Sequence, residues 1–259
     1  MTDTEQAHLE GFLSVRAALE SGSREVHALL LRQDKDDGQT HWLERQAAAR
    51  GVPVRRVAAG EIEAQAGGKT HGGVLATVGP RRFVSLDDLL PPGGEDGWVV
   101  MLDGVEDPFN FGAAVRSLHA AGAAGLVVRP RNWLTAAATV ARASAGASER
   151  LPTAVAETAD AAAFFRGHGL AVACATDAPP SVSLYDADLS APLFLLIGGE
   201  KRGLTRSFEA AADLRLRIPY ARPEAYSLGT AAAAAVLGFE IMRQRSRKTP
   251  RTDINRKAR

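Results

Sequence analysis

Residues 193–204 read Leu-Phe-Leu-Leu-Ile-Gly-Gly-Glu-Lys-Arg-Gly-Leu. Five consecutive apolar residues followed by two glycines describe a strand buried on both faces that ends in a tight loop. Two further strands that end in a loop lie on either side: Trp98–Leu102 runs into Asp103-Gly104, and Leu214–Ile218 runs into Pro219-Tyr220. Two more short apolar strands, Leu126–Val128 and Ala171–Ala175, alternate with helical stretches at Asn110–Ala121, Thr135–Ala143, Ala159–Gly167 and Thr205–Ala211. Such alternation predicts an α/β domain with a parallel sheet covered by helices on both faces. A last helix, from Leu228 to about Arg245, opens with an alanine run whose small side chains let another backbone pack closely.

Upstream, the first ~80 residues read as a smaller α/β unit. Its helices are Gly11–Glu20, His41–Arg50 and Glu61–Ala66, and its strands are Val26–Leu31, Val52–Val57 and Val74–Val78. Gly51 ends the second helix as a C-cap residue should. The turn-forming Pro91-Pro92-Gly93-Gly94 marks a linker. The expected organisation is therefore a unit over 1–79, a linker over 80–96, a larger domain over 97–245 and a tail over 246–259.

The chain has 259 residues and a net charge of +1, but the charge is unevenly distributed. Eight of the 31 basic residues and one of the 30 acidic ones fall in 241–259, so this segment carries +7 and the rest −6. A like-charged tail suits contact with phosphates, or serves only as a solubilising terminus. No apolar run approaches the ~20 residues of a membrane span. The N-terminal MTDTEQAHLE has neither the basic nor the apolar region of a secretory signal, so a cytoplasmic protein is expected. Cys174 is the only cysteine, which excludes an internal disulfide and a cysteine-rich metal site, and its apolar surroundings make it a core thiol. The histidines lack paired metal spacing, so no metal is expected.

The three strand-end loops carry the candidate chemistry. The first, Asp103 to Ser117, lacks the G-x-G-x-x-G fingerprint of dinucleotide sites. In it Asp107-Pro108 forms a turn, Asn110 can cap the following helix, and Arg116 in its second turn suits bidentate recognition of phosphate. The second holds Gly198, Gly199 and Glu200, where paired glycines allow close approach to a flat ligand. The third runs from Ile218 and Pro219 to Ser227 and Leu228. Each starts at the carboxyl end of a strand, so all three can meet in one crevice. In the smaller unit, the loop Gly67 to Gly73 could hold RNA phosphate through Lys69 and backbone N–H groups, or be a plain turn. Arg142, with Arg129 and Arg131, could extend an RNA-binding surface or be a solvated charge.

LDGVEDPFNFGAAVRSLHAAGAAGLVV, LIGGEKRGL and IPYARPEAYSLG, in that order, resemble the three signature motifs of the SpoU/TrmH family of RNA 2′-O-ribose methyltransferases. TVARASAGASERLP, between the first two, is similar to the family's as well. The first ~80 residues resemble the small ribosomal-protein-like RNA-binding domain often fused in front of it. The resemblance implies a C-terminal domain with a deep trefoil knot, a homodimer formed through that domain, and S-adenosylmethionine as cofactor. Carried over, it implies that Gly198, Gly199, Glu200, Ile218, Pro219, Ser227 and Leu228 hold the cofactor. The implied dimer places the first-motif arginine of one subunit near the cofactor of the other, which nominates Arg116 as catalytic, with Asn110 and Glu200 in support. The resemblance also implies RNA as partner, ribosomal RNA ahead of transfer RNA.

The third motif departs from the family. Many members read Ser-Leu-Asn-Val-Ser where this chain has Ser227-Leu228-Gly229-Thr230-Ala231, so an amide and a hydroxyl are missing. Thr230 or Tyr226 is then expected to substitute, and Tyr226 could stack on a base or fill the loop. The alternatives are a knotted RNA-binding protein that keeps the cofactor site with weak or no catalysis, and a methyltransferase acting on a base.

Overall fold

The structure, a computed structural model, describes residues 6–68, 70–91, 97–131, 136–200, 203–222 and 227–248. In chain order the elements are β1 (Ala7–Glu10), α1 (Phe12–Ser21), β2 (Val26–Arg32), α2 (Gly38–Ala49), β3 (Val54–Val57), α3 (Ala59–Glu63) and β4 (Val74–Val78). There follow β5 (Trp98–Asp103), α4 (Pro108–Ala120), β6 (Gly125–Val128), α5 (Ala137–Ala143), α6 (Ala147–Arg150), β7 (Thr153–Val155) and α7 (Thr158–Gly167). Last come β8 (Ala171–Ala175), β9 (Val182–Ser183), β10 (Leu193–Gly198), α8 (Arg206–Ala211), β11 (Leu214–Arg217) and α9 (Thr230–Lys248).

The chain divides into two compact units. The first comprises Met1–Val84, Asp107–Arg116 and Pro130–Pro152; the second comprises Ser85–Glu106, Ser117–Arg129 and Thr153–Arg259.

The first unit is built on a four-stranded sheet in the order β1-β4-β2-β3, antiparallel except for the β2–β3 pair. β1 was not legible from its sequence, Ala-His-Leu-Glu, because Glu10 is buried beside Leu9 instead of alternating outward. Glu10 tolerates burial because Arg142 in α5 donates to its Oε2 at 2.7 Å and the Gly67 N–H to its Oε1 at 2.6 Å. α5 also places Ala137 and Ala141 in the core that Leu9, Val15, Leu29, Leu31 and Leu43 form. α2 begins at Gly38, earlier than the apolar pattern suggested, because Asp37 and Thr40 close a reciprocal capping box ahead of it.

A buried ion cluster ties α6 into the same unit. Oε2 of Glu149 accepts from Ser23 Oγ at 2.6 Å and Arg24 Nε at 3.0 Å, with Arg81 Nη1 at 3.5 Å. Burial pushes the Glu149 carboxyl up, but the charges of Arg24 and Arg81 and the Ser23 hydroxyl outweigh it and hold it below the ordinary carboxylate value.

The second unit is a seven-stranded sheet in the order β7-β6-β5-β10-β8-β11-β9, with every pair parallel. This is the parallel α/β sheet that the apolar runs predicted. Phe165 stacks on Phe194 with ring centroids 4.5 Å apart, within a core that includes Val99, Val127, Val172 and Leu196. Cys174 belongs to this core, and burial, with Glu209 nearby, pushes its thiol up to about 11.

α9 begins at Thr230, not Leu228, and runs past Arg245 to Lys248. Two arginines of its basic end already have partners: Arg243, on the surface, pairs with Glu240, and Arg245 donates to the Leu189 and Ala191 carbonyls. No helix among the described residues is long and apolar enough to cross a membrane.

Candidate active site

β10 lies at the middle of the parallel sheet, between β5 and β8. Its carboxyl end delivers Gly198 and Gly199, and the reason for both glycines is backbone crowding. The Gly199 N–H donates to the Asp103 carbonyl at 2.7 Å, and a Cβ on Gly199 would lie 2.1 Å from the Gly104 carbonyl oxygen. A Cβ on Gly198 would lie 2.7 Å from the Gly203 carbonyl carbon. The sequence suggested that these glycines admit a flat ligand; the structure spends them on contact between the loops after β5 and β10.

Glu200 follows, and its Oε1 accepts the backbone N–H of Thr230 at 3.0 Å. The carboxylate therefore satisfies one of the unpaired donors that open α9, where the helix dipole also favours a negative charge. Gly229 leaves room for this placement of the carboxylate, since a Cβ there would stand 2.9 Å from Glu200 Oε1 and the side chain would have to shift. The departure in the third motif is thus matched by a contact with the second.

The loop after β11 is closed by Tyr220, whose hydroxyl accepts the Leu228 N–H at 3.0 Å. A fourth loop, after β8, contributes Thr176 and Asp177, and the Thr176 N–H donates to the Leu216 carbonyl at 2.9 Å. Neither Tyr220 nor this loop was singled out from sequence, although the rule that ligands gather at the carboxyl ends of parallel strands applies to β8 as well.

These loops enclose a cleft of about 390 Å³ in the second unit. Gly198, Gly199, Glu200, Ile218, Ser227 and Leu228 all line it; of the cofactor residues nominated from sequence only Pro219 does not. Ile197, Leu204, Leu216, Ile218 and Leu228 give it apolar walls, and Asp177, Glu200 and Glu209 give it three carboxylates. No lysine, arginine or histidine lines it among the described residues. Apolar walls with carboxylates suit a ligand that is flat and apolar at one end and cationic at the other.

The sequence profile of the SpoU rRNA methylase family matches residues 97–239, which contain every one of these loops. The chain belongs to this family. A second profile, RNA 2′-O ribose methyltransferase substrate binding, matches residues 8–84 ahead of the SpoU region. The 23S rRNA (guanosine-2′-O-)-methyltransferase RlmB of Xylella fastidiosa is 32% identical over 240 residues, covering 91% of this chain and 96% of that protein. Among solved structures, an S-adenosylmethionine-bound rRNA methyltransferase from Sinorhizobium meliloti superposes with a TM-score of 0.78 at 29% identity, covering 93% of this chain and 88% of the other. The SpoU methyltransferase AviRb of Streptomyces viridochromogenes, in complex with the same cofactor, gives a TM-score of 0.75 at 26% identity, covering 95% and 92%. The SpoU cofactor carries a sulfonium, an ammonium and an adenine, and the cleft's carboxylates and apolar walls fit all three.

Of the remaining nominated residues, Arg116, Asn110 and Arg142 belong to the first unit. Arg116 is exposed on α4 and makes no ion pair or hydrogen bond among the described residues. Asn110 does not cap α4 as its sequence position suggested. Asp107 does, its Oδ1 accepting the Asn110 N–H at 2.7 Å, with Pro108 at the first helical position, where a missing N–H costs nothing. Arg142 has its guanidinium on Glu10, so its charge is already matched inside the fold. In the glycine-rich loop, Glu10 takes the Gly67 N–H and Nδ1 of His71 takes the Gly73 N–H at 3.1 Å. Lys69, Tyr226 and most of the basic tail lie outside the described residues.

Proposed function

We propose that the protein transfers a methyl group from S-adenosylmethionine to a ribose 2′-hydroxyl of ribosomal RNA, with a guanosine of 23S rRNA as the leading target. The observation that carries this reading is the convergence of the strand-end loops on one cleft inside the stretch that the SpoU profile matches. The name of the Xylella relative supports the target. Residues 1–79 then act as the RNA-binding domain and 97–245 as a knotted methylase domain that forms a cytoplasmic homodimer.

When bound, S-adenosylmethionine supplies an electrophilic methyl group on a sulfonium. Gly198, Gly199, Ile218, Ser227 and Leu228 would hold the adenosine part, and the carboxylates of Asp177 and Glu209 would offset its positive charge. Arg116, with no partner to give up among the described residues, binds an RNA phosphate and stabilises negative charge growing on the 2′-oxygen. A guanidinium has no acceptor atom, so the hydroxyl proton passes to solvent and not to Arg116. Glu200 acts by holding the second loop against the start of α9.

The test is transfer of a tritiated methyl group to unmodified 23S rRNA, 16S rRNA and tRNA, followed by nucleoside digestion. The expected product is 2′-O-methylguanosine from 23S rRNA. Calorimetric cofactor binding with no label in any RNA would favour the catalytically silent RNA-binding protein, and label on a base would sink the ribose assignment.

A further inference from the structure

At one end of the four-stranded sheet, the last turn of α1, the start of β2 and the turn from α2 into β3 enclose a cleft of about 550 Å³. Leu19, Val26, Val52 and Pro53 give it an apolar floor. Its polar lining is Arg24, Arg50, Arg82 and His27, against the single carboxylate of Glu25. Arg24 is committed to Glu149 and to the Gly79 carbonyl, so it serves as wall and not as ligand. Arg50 and Arg82 are different. Both are exposed; Arg50 donates from Nη1 to Gln46, and Arg82 donates from Nη1 to the Gly22 carbonyl at 3.4 Å. Most of the five donors on each guanidinium therefore remain for a ligand.

Two features oppose an anion here. The side chain of Glu25 is 69% exposed, with Oε1 3.8 Å from His27 Nδ1, and the carbonyl end of α1 faces this region. Arg82 and the Gly22 N–H, which donates to Ala18, cover part of that carbonyl end. Two guanidiniums then outweigh one solvated carboxylate. Cationic rim and apolar floor together fit a nucleotide, whose sugar and base present flat faces and whose phosphates take bidentate arginine contacts. The surrounding residues fall within the 8–84 match to a substrate-binding domain, which favours RNA over an acidic peptide.

We propose that this cleft is a nucleotide subsite for the RNA substrate, with Arg50 and Arg82 on its phosphates and Val52 and Pro53 beneath its base or ribose. The proposal rests on the reading that this chain acts on RNA. Filter binding of unmodified 23S rRNA to the full chain tests it, comparing wild type, the double variant Arg50→Glu/Arg82→Glu and the equally exposed control Arg45→Glu. A neutral double variant, Arg50→Gln/Arg82→Gln, covers the case in which charge reversal harms folding, which the melting temperature reports. We expect the double reversal to weaken binding about 30-fold at ~150 mM salt and to lower the salt slope by about two, against at most about threefold for Arg45→Glu. Calorimetric affinity for S-adenosylmethionine should not change in any variant. If both double variants bind within threefold of Arg45→Glu, the subsite is overturned while the RNA function stands. If wild type itself fails to bind the RNA, the function reading falls and the subsite with it.

Discussion

The Thr230 backbone N–H donates to Glu200 Oε1 at 3.0 Å, which joins the loop after β10 to the first turn of α9 across 30 residues of chain. A Cβ at residue 229 would sit 2.9 Å from the same oxygen, so a side chain there makes the Glu200 carboxylate shift. Gly229→Asn, which restores the common family residue, should therefore push Glu200 off the helix. A charge-assisted hydrogen bond contributes about 1.5–3 kcal/mol. We expect the calorimetric dissociation constant for S-adenosylmethionine to rise roughly tenfold or more. Wild-type affinity in this variant would sever the link between Gly229 and Glu200.

Arg116 offers an exposed guanidinium, and lysine cannot reproduce its planar fork. Arg116→Lys should lower kcat on RNA by about 10²–10³-fold, the range for loss of one charge-stabilising donor. Cofactor affinity should stay within about twofold, since binding and chemistry are assigned to different residues. Near wild-type turnover by the lysine variant would end the bidentate assignment.

Tyr220 closes the third loop through one hydroxyl, so Tyr220→Phe removes that bond and little else. A neutral hydrogen bond at about 1 kcal/mol predicts roughly fivefold weaker cofactor binding. Amide exchange around Leu228 should speed up in parallel, and unchanged protection there would argue against the tether.

The Glu149 cluster governs stability. Its side chain is 1% exposed, and Glu149→Gln leaves Arg24 and Arg81 without their countercharge, a change that costs about 3–5 kcal/mol in buried pairs. The folded carboxyl lies below its unfolded value, so its contribution is complete above the unfolded pKa of about 4.3 and is lost as pH falls through the folded value. Urea titrations should therefore find the gap between wild type and Glu149→Gln wide near neutral pH and shrinking below about pH 4. A gap that is constant with pH would mean the charge is irrelevant.

Cys174 is fully buried with its thiol pushed up to about 11, so it is almost wholly protonated at neutral pH. Iodoacetamide should leave the native protein unlabelled and react only once denaturant unfolds it.

The larger sheet was legible because β5, β8 and β10 are apolar runs and β11 alternates Leu-Arg-Leu-Arg, and sequence marked all four to within a residue or so at either end. β7 and β9 escaped because three and two residues carry no period. The smaller sheet hid β1, whose outer residue is buried by an ion pair to Arg142, 132 positions away. No local pattern reports such a partner, and for the same reason Arg142 read as a surface contact. In the second unit's cleft, the resemblance to the SpoU/TrmH motifs had nominated six of the lining residues. The capping role of Glu200 was not readable, because it depends on where α9 begins.

Because Ala137, Ala141, Arg142 and Glu149 complete the first unit, a nascent chain that has emerged only as far as Val84 holds an unfinished core. At synthesis rates of about 5–20 residues per second, the missing pieces arrive several seconds later. During that interval Glu10 and Arg24, both buried at the end, wait on the ribosome with their countercharges still untranslated.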